Sequence, residues 1–199
     1  QPDLGTSILI GSGGIVVAWL AGVRAKFFIY SGLAMIALLP IAISFLKPYQ
    51  KSRILTFLNP ERDPLGAGYQ IIQSKIAIGS GGLFGKGFLN GSQSYLDYLP
   101  EKHTDFIFTL FSEEFGFFGS LFILLLYALI ISRIVRIGNM TRSNFGKLYC
   151  YSFATAFFIY VVVNMMMVLG LLPIVGSPLP IMSYGGSSML AIMFGLGIV

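Results

Sequence analysis

Apolar residues in this chain come in long unbroken runs rather than at alternating or half-helix spacing. Residues 4–23 and 27–46 hold no charge over 20 positions each, 115–132 none over 18, and 148–199 none over 52. A helix needs about 20 apolar residues to cross about 30 Å of hydrocarbon. The pattern predicts an all-α integral membrane protein, a polytopic helical bundle with five spans at about 4–23, 27–46, 106–132, 148–172 and 181–199. The first two are separated only by Arg24-Ala25-Lys26 and are expected to form a helical hairpin. Segment 173–180 (PIVGSPLP) reads as a short turn, because proline cannot continue a helix without losing a backbone bond.

The connection 47–105 breaks this pattern, with 59 residues, seven bases and five acids. Connections of that size are uncommon unless they work, so function is sought there first. Within it, Tyr69, Ile72 and Ile76 fall at helical spacing beside Ile71, Lys75 and Ile78, which predicts a helix over 65–78 lying along the membrane surface. A run of five glycines in nine residues, 79–87, follows it.

Composition sharpens the class. The chain of 199 residues is 55% apolar and only 11% charged, with a mean hydropathy of +0.81, where soluble chains carry roughly 25% charged residues. Disorder, collagen, coiled coil and a disulfide scaffold are excluded. The single cysteine, Cys150, permits neither an internal disulfide nor a cysteine-based metal site, and reads as lipid-facing or packing filler. The net charge of +5 comes from bases flanking the runs, which suits anionic lipid or a phosphate-bearing substrate better than nucleic acid. Arg24, Lys26, Arg133, Arg136, Arg142 and Lys147 lie in two short connections without an acid, marking that side as cytoplasmic and 47–105 as extracytoplasmic. Starting at Gln1 without a signal-peptide pattern and ending in an apolar run, the chain reads as a piece of a longer protein.

Candidate chemistry clusters near the end of the long connection. Asp105 stands at the mouth of the third run, where an ionisable group has a partner, a task or a capping role; as a helix N-cap, it or Thr104 would accept backbone N–H bonds. Asp97, Glu101 and Asp105 could share one helix face, although Pro100 interrupts it. His103 is the only histidine, which rules out a histidine-only metal site. Glu113 and Glu114, two turns into the run, are expected to be paired or protonated, since a lone buried charge costs several kcal/mol. Gly79, Ser80, Gly81 and Gly82, flanked by Lys75 and Lys86, could cradle phosphate through backbone N–H groups, although a flexible turn is the plainer reading. Ser183, Tyr184, Gly185 and Gly186 offer small residues for close helix approach, with packing alone as the alternative.

Taken together, several blocks resemble the SEDS family (shape, elongation, division and sporulation) along the whole chain. They are QPDLGT at 1–6, DPLGAGYQ at 63–70, QSKIAIGSGG at 73–82, LPEKHTDFIF at 99–108, SEEFG at 112–116 and PLPIMSYGGSS at 178–188. The wording from Ser74 to Gly87 tilts toward the elongation branch rather than the division branch. The resemblance implies a single SEDS-type membrane domain over 1–199, spans six to ten of ten. It also implies peptidoglycan polymerisation from lipid II at the outer face of the bacterial cytoplasmic (inner) membrane. The family's catalytic Asp matches Asp105, and a family Lys on an earlier span is absent, so the piece alone is expected to be inactive. Partners implied are lipid II, membrane lipids, a class B penicillin-binding protein and other elongation-complex proteins.

Joining sugars in this way needs a base at the attacking hydroxyl and positive charge at the leaving diphosphate. Asp105 would be the base, with Phe106 and Phe108 limiting water around it, while Glu101 is more solvated. Lys75, Arg53 and Lys86 are candidate diphosphate contacts, a divalent cation (Mg2+ or Mn2+) could share the load, and no organic cofactor is expected. A flippase for a lipid-linked precursor is the competing class, since intramembrane acids and Pro/Gly breaks also mark transporters. A membrane scaffold acting through a partner is a third.

Overall fold

The computed structural model describes residues 4–44, 51–52, 55–57, 59, 63, 66–91 and 103–199, and no strand occurs among them. Its helices are α1 (Leu4–Leu20), α2 (Ala25–Ser44), α3 (Ala67–Gly81), α4 (Ile107–Met140), α5 (Asn144–Val168) and α6 (Gly186–Ile198). Arg53, Asp97, Pro100 and Glu101 lie outside the described residues. The connection between α1 and α2 is as short as expected, and Trp19 meets Phe28 across it. Beyond that turn the hairpin expectation fails, because α1 packs along α5 instead of along α2.

Two helices exceed their predicted bounds. α4 continues to Met140 and α5 begins at Asn144, so Arg133, Arg136 and Lys147 ride on helices and only 141–143 turn the chain. Charge was a poor end signal here because arginine carries its head away from an apolar stem and is tolerated near a helix end. α4 and α5 pack against each other, and α3 packs on α4. Their core gathers Phe106, Phe108, Tyr127, Phe157, Met167 and Leu179. Cys150 proves to be packing filler, buried beside Ile134 and Ala154.

The surface decides the solvent. Both α4 and α5 are long and apolar enough to cross a membrane, yet only 11% of the most apolar 18-residue window of α4 is buried. The core helix of a soluble protein would be mostly covered. Here Phe117, Phe118, Leu121, Phe122, Leu125 and Leu129 all face outward. A continuous apolar face of that size is rare on a soluble monomer and ordinary in lipid. This is a helical membrane protein.

Two breaks interrupt the helices at one end of the bundle. Gly116 has φ 68° and ψ −162°, which divides α4 into 107–115 and 117–140. The second break delays the start of the predicted last helix. Residues 173–185 are not helical, and α6 begins only at Gly186. The turn read at 173–180 extends to 185 and enters the bundle, with Ser177, Leu179 and Ser183 buried. The Tyr127 hydroxyl donates to the Pro180 carbonyl at 2.6 Å, about 16 Å along the helix from Gly116. Irregular backbone survives at such depth only when protein satisfies it.

Candidate functional site

The glycine-rich run splints the break in α4. A broken helix leaves unpaired carbonyls on one side and unpaired N–H groups on the other. Before the break, the Glu113 and Glu114 carbonyls accept from Lys86 and Gly87 N–H at 3.0 Å each. After it, Phe117 and Phe118 N–H donate to the Gly82 and Leu83 carbonyls at 2.9 and 3.2 Å. Contact this close demands glycine: a Cβ on Gly81 would lie 2.2 Å from the Ser112 carbonyl oxygen, and one on Gly116 would lie 2.3 Å from Gly85 N. Gly82, Gly85, Lys86 and Gly87 thus commit their N–H groups within the chain, and Gly79–Gly81 belong to α3. The phosphate cradle expected at 79–82 therefore loses its backbone donors, and the C-terminal end of α3 presents the wrong dipole sign for an anion.

Charge follows the splint. Lys86 Nζ lies 2.6 Å from Glu113 Oε1, whose side chain is fully buried. This is the pairing expected for Glu113, and it engages one of the lysines considered for the diphosphate. The buried face of α3 is Ile71, Ser74 and Ala77 rather than the Tyr69–Ile72–Ile76 stripe read from the sequence; Ile76 is exposed. Ser74 donates to the Val168 carbonyl and bonds the Thr109 hydroxyl, both at 2.7 Å, which joins α3 to α4 and α5.

Asp105 lies in the turn that enters α4. The capping expectation is corrected in position, because the N-cap residue is Phe106 rather than Thr104 or Asp105, and its side chain makes no cap bond. The turn is held instead by its carbonyls. His103 O accepts from Tyr184 N–H at 2.9 Å, Thr104 O from Ser183 Oγ at 2.6 Å, and Asp105 O from Asn164 Nδ2 at 2.9 Å. Ser183 Oγ also accepts from Leu179 N–H at 2.7 Å. Asn164 spends its other amide hydrogen on Ser177 O at 2.7 Å. Phe106 and Phe108 are buried beside this turn, and Asp105 itself is half-buried.

Asp105 Oδ2 approaches Gly176, lying 3.5 Å from where a Cβ would stand. Lys75 lies over Gly170, its Nζ 2.8 Å from the corresponding point. Both side chains thus reach one link, 170–176, whose ends are at most about 20 Å apart. His103, Ser183, Tyr184, Gly185 and Gly186 line an open cleft of about 550 Å³ on the other side of the turn. An apolar groove of about 630 Å³ runs between α3, α4 and α5, past Ile78, Phe108, Phe117 and Met165. Glu114 contributes its carbonyl to the splint. Among the described residues no three His, Cys, Asp or Glu side chains group to hold a metal ion. A lone carboxylate such as Asp105 suits Mg2+ only when substrate phosphates complete the shell. Sequence reasoning missed Asn164, Tyr127 and Thr109, which in an apolar run read as minor interruptions, and it gave Ser74 no packing role.

This arrangement defines a class: a polytopic helical membrane protein whose helices break at one end around a turn bearing a carboxylate. The family model described as "Cell cycle protein", for FtsW, RodA and SpoVE, matches residues 1–199. The chain belongs to this family, the SEDS proteins. It is 50% identical over 200 residues to "Peptidoglycan glycosyltransferase MrdB" of Escherichia coli K12, covering 100% of the chain and 54% of that protein. It is 40% identical to "Stage V sporulation protein E" of Bacillus subtilis, covering 100% and 54%. Among solved structures, a chain of a peptidoglycan synthase complex said to coordinate polymerization and crosslinking superposes with TM-score 0.79. That match is 38% identical and covers 100% of this chain and 55% of that one. A point mutant of the Thermus thermophilus rod-shape-determining protein RodA gives TM-score 0.61 at 27% identity, covering 100% and 49%. The chain spans about half the length of the curated relatives it matches.

Proposed function

We propose that this chain carries the catalytic half of a peptidoglycan glycosyltransferase that polymerises lipid II, with Asp105 as general base. The observation that carries the reading is the anchored turn: a carboxylate held by its backbone at the edge of an apolar bundle, near Lys75 across one short link. The MrdB and RodA relatives, both named peptidoglycan glycosyltransferases, support the activity. In the step, Asp105 takes the proton of a sugar 4-hydroxyl as its oxygen bonds the anomeric carbon of a second unit. The bond to the polyprenyl diphosphate breaks, and that group leaves with its electron pair. Lys75 faces the leaving diphosphate, and a divalent cation shared with Asp105 would neutralise further charge when bound. The groove between α3, α4 and α5 takes part of the prenyl chain.

The elongation role is favoured by 50% identity to MrdB against 42% for a relative named FtsW. In the membrane, five spans place 47–105 and the Asp105 turn on the outer face of the inner membrane, with Arg133–Lys147 inside. The synthase complex matched in structure supports a transpeptidase partner of the class B penicillin-binding type. A flippase is the second reading, favoured by the break in α4 and the irregular segment 173–185.

The test reconstitutes the protein at the full length of its relatives with purified lipid II and follows polymer formation and lipid translocation. Asp105→Asn is expected to lower polymerisation by about 100- to 10,000-fold while lipid II binding persists, and Glu101→Gln to keep measurable activity. Near-normal polymer from Asp105→Asn removes the base, and translocation without polymer installs the flippase.

A further inference from the structure

Three consecutive carbonyls, those of His103, Thr104 and Asp105, each accept a hydrogen bond from a group 59 to 81 positions later in the chain. The donors are Tyr184 N–H, Ser183 Oγ and Asn164 Nδ2. Two of them belong to the irregular segment itself. Asn164 is different, because it projects from α5, an uninterrupted helix packed along α4. Its side chain is fully buried, in a span otherwise filled by Val161, Met165, Met167 and Val168.

The orientation of this amide is fixed by chemistry. Both carbonyls it meets are acceptors, so Nδ2 must face them; a flipped amide would set Oδ1 against two carbonyl oxygens. Oδ1 then finds no donor among the described residues. A fully buried amide that leaves its acceptor unmet is held in place by its two donors. Those donors join the Asp105 peptide to the Ser177 peptide, one residue from Gly176, against which the Asp105 carboxylate lies. Asn164 therefore ties together the carboxylate's own backbone and the wall it rests on.

We propose that Asn164 is the positioning residue for Asp105, setting from the rigid helix α5 where that carboxylate stands. The proposal rests on the reading of Asp105 as the base. Asn164 touches no substrate atom and acts only through the two peptides it bridges. Releasing them lets the turn and the 173–177 wall shift, and displacements of about 1 Å in a reacting group can cost about 100-fold in rate.

The experiment compares wild type, Asn164→Ala, Asn164→Gln and Asp105→Asn in the intact full-length protein, reconstituted with purified lipid II. Rates are expressed per folded molecule, counted from the monodisperse chromatographic peak. Asn164→Ala is expected to lower kcat by about 10- to 100-fold with KM within about twofold of wild type. Asn164→Gln, which keeps the amide on a longer arm, is expected to recover part of that kcat. If Asn164→Ala yields no folded protein, Asn164→Gln decides alone, through a lowered kcat at unchanged KM.

Wild-type kcat per folded molecule in the deciding variant overturns the proposal, because a merely structural residue lowers yield and not turnover. A raised KM at unchanged kcat also overturns it. Inactive Asp105→Asn beside fully active Asn164→Ala removes the positioning role and leaves the base standing. Active Asp105→Asn removes both.

Discussion

The two ends of the α4–α5 pair begin from the same kind of apolar helix and satisfy their backbones by opposite means. At the Ser143 end, three residues join two regular helices, and the packing is Ile134, Cys150 and Ala154 with no buried polar side chain among them. At the Asp105 end, α4 breaks at Gly116 and 173–185 run irregularly. There Ser74, Thr109, Ser112, Glu113, Asn164, Ser177 and Ser183 are all buried. Lipid offers no hydrogen bonds, so each carbonyl released from a helix needs a partner from the protein. Polar residues at that end answer a structural demand first. The catalytic reading of Asp105 is built on a scaffold those residues already had to make.

The comparison breaks most severely at Gly116. A β-branched residue there meets both a positive φ and the Gly85 backbone, with a Cβ 2.3 Å from Gly85 N. Gly116→Val is expected to cost about 4 kcal/mol or more and to remove the monodisperse peak in detergent. Gly32→Val, on α2 with nothing near its Cβ, should keep that peak. Survival of the Gly116 variant would mean that the splint is dispensable.

Next in size is the ion pair. Lys86→Met takes the lysine partner from the fully buried Glu113 carboxylate and should cost about 3 kcal/mol, read as a fall in melting temperature. Adding Glu113→Leu should return more than half of the loss, since the penalty belongs to the buried charge and not to the missing bond. A double variant no better than the single one would make the pair stabilising in itself.

Ser183→Ala comes third. The change removes a donor to the part-buried Thr104 O and an acceptor from the buried Leu179 N–H, with an expected loss of about 2 to 3 kcal/mol. Tyr127→Phe removes only a donor, to the Pro180 carbonyl, and should cost about 1.5 kcal/mol.

How much of this was legible in the sequence follows the same division. The helices of the apolar runs could be read because composition selects them in lipid, and the one over 65–78 because its apolar residues recur at helical spacing. The breaks could not. A glycine such as Gly116 looks the same in an apolar run whether it packs helices or interrupts one, and the deciding fact is its approach to Gly85, 31 residues away. The face of α3 was misread because Ser74, Ala77 and Gly81 pack closer than Tyr69 and Ile76 could. Asp105 was visible through its motif, yet what holds it was not. Asn164 stands in a run of Val and Met, and only the return of 173–185 into the bundle gives its amide something to bind.

The smallest effect is the sharpest test, because it uses the same residue type at the two ends. Ser143 caps α5 by accepting from Gly146 N–H, but at 3.5 Å and exposed to solvent. Water can replace such a bond, so Ser143→Ala should cost about 0.5 kcal/mol, at the low end for a helix cap. Ser183 makes its two bonds at 2.6 and 2.7 Å from a buried position. Measured side by side as thermal unfolding in one detergent, Ser183→Ala should therefore melt well below Ser143→Ala. Equal melting temperatures would mean that water or a relaxed backbone reaches 173–185 and supplies what the hydroxyl lost. In that case the Asp105 end is not held by buried side chains, and the contrast between the two ends collapses.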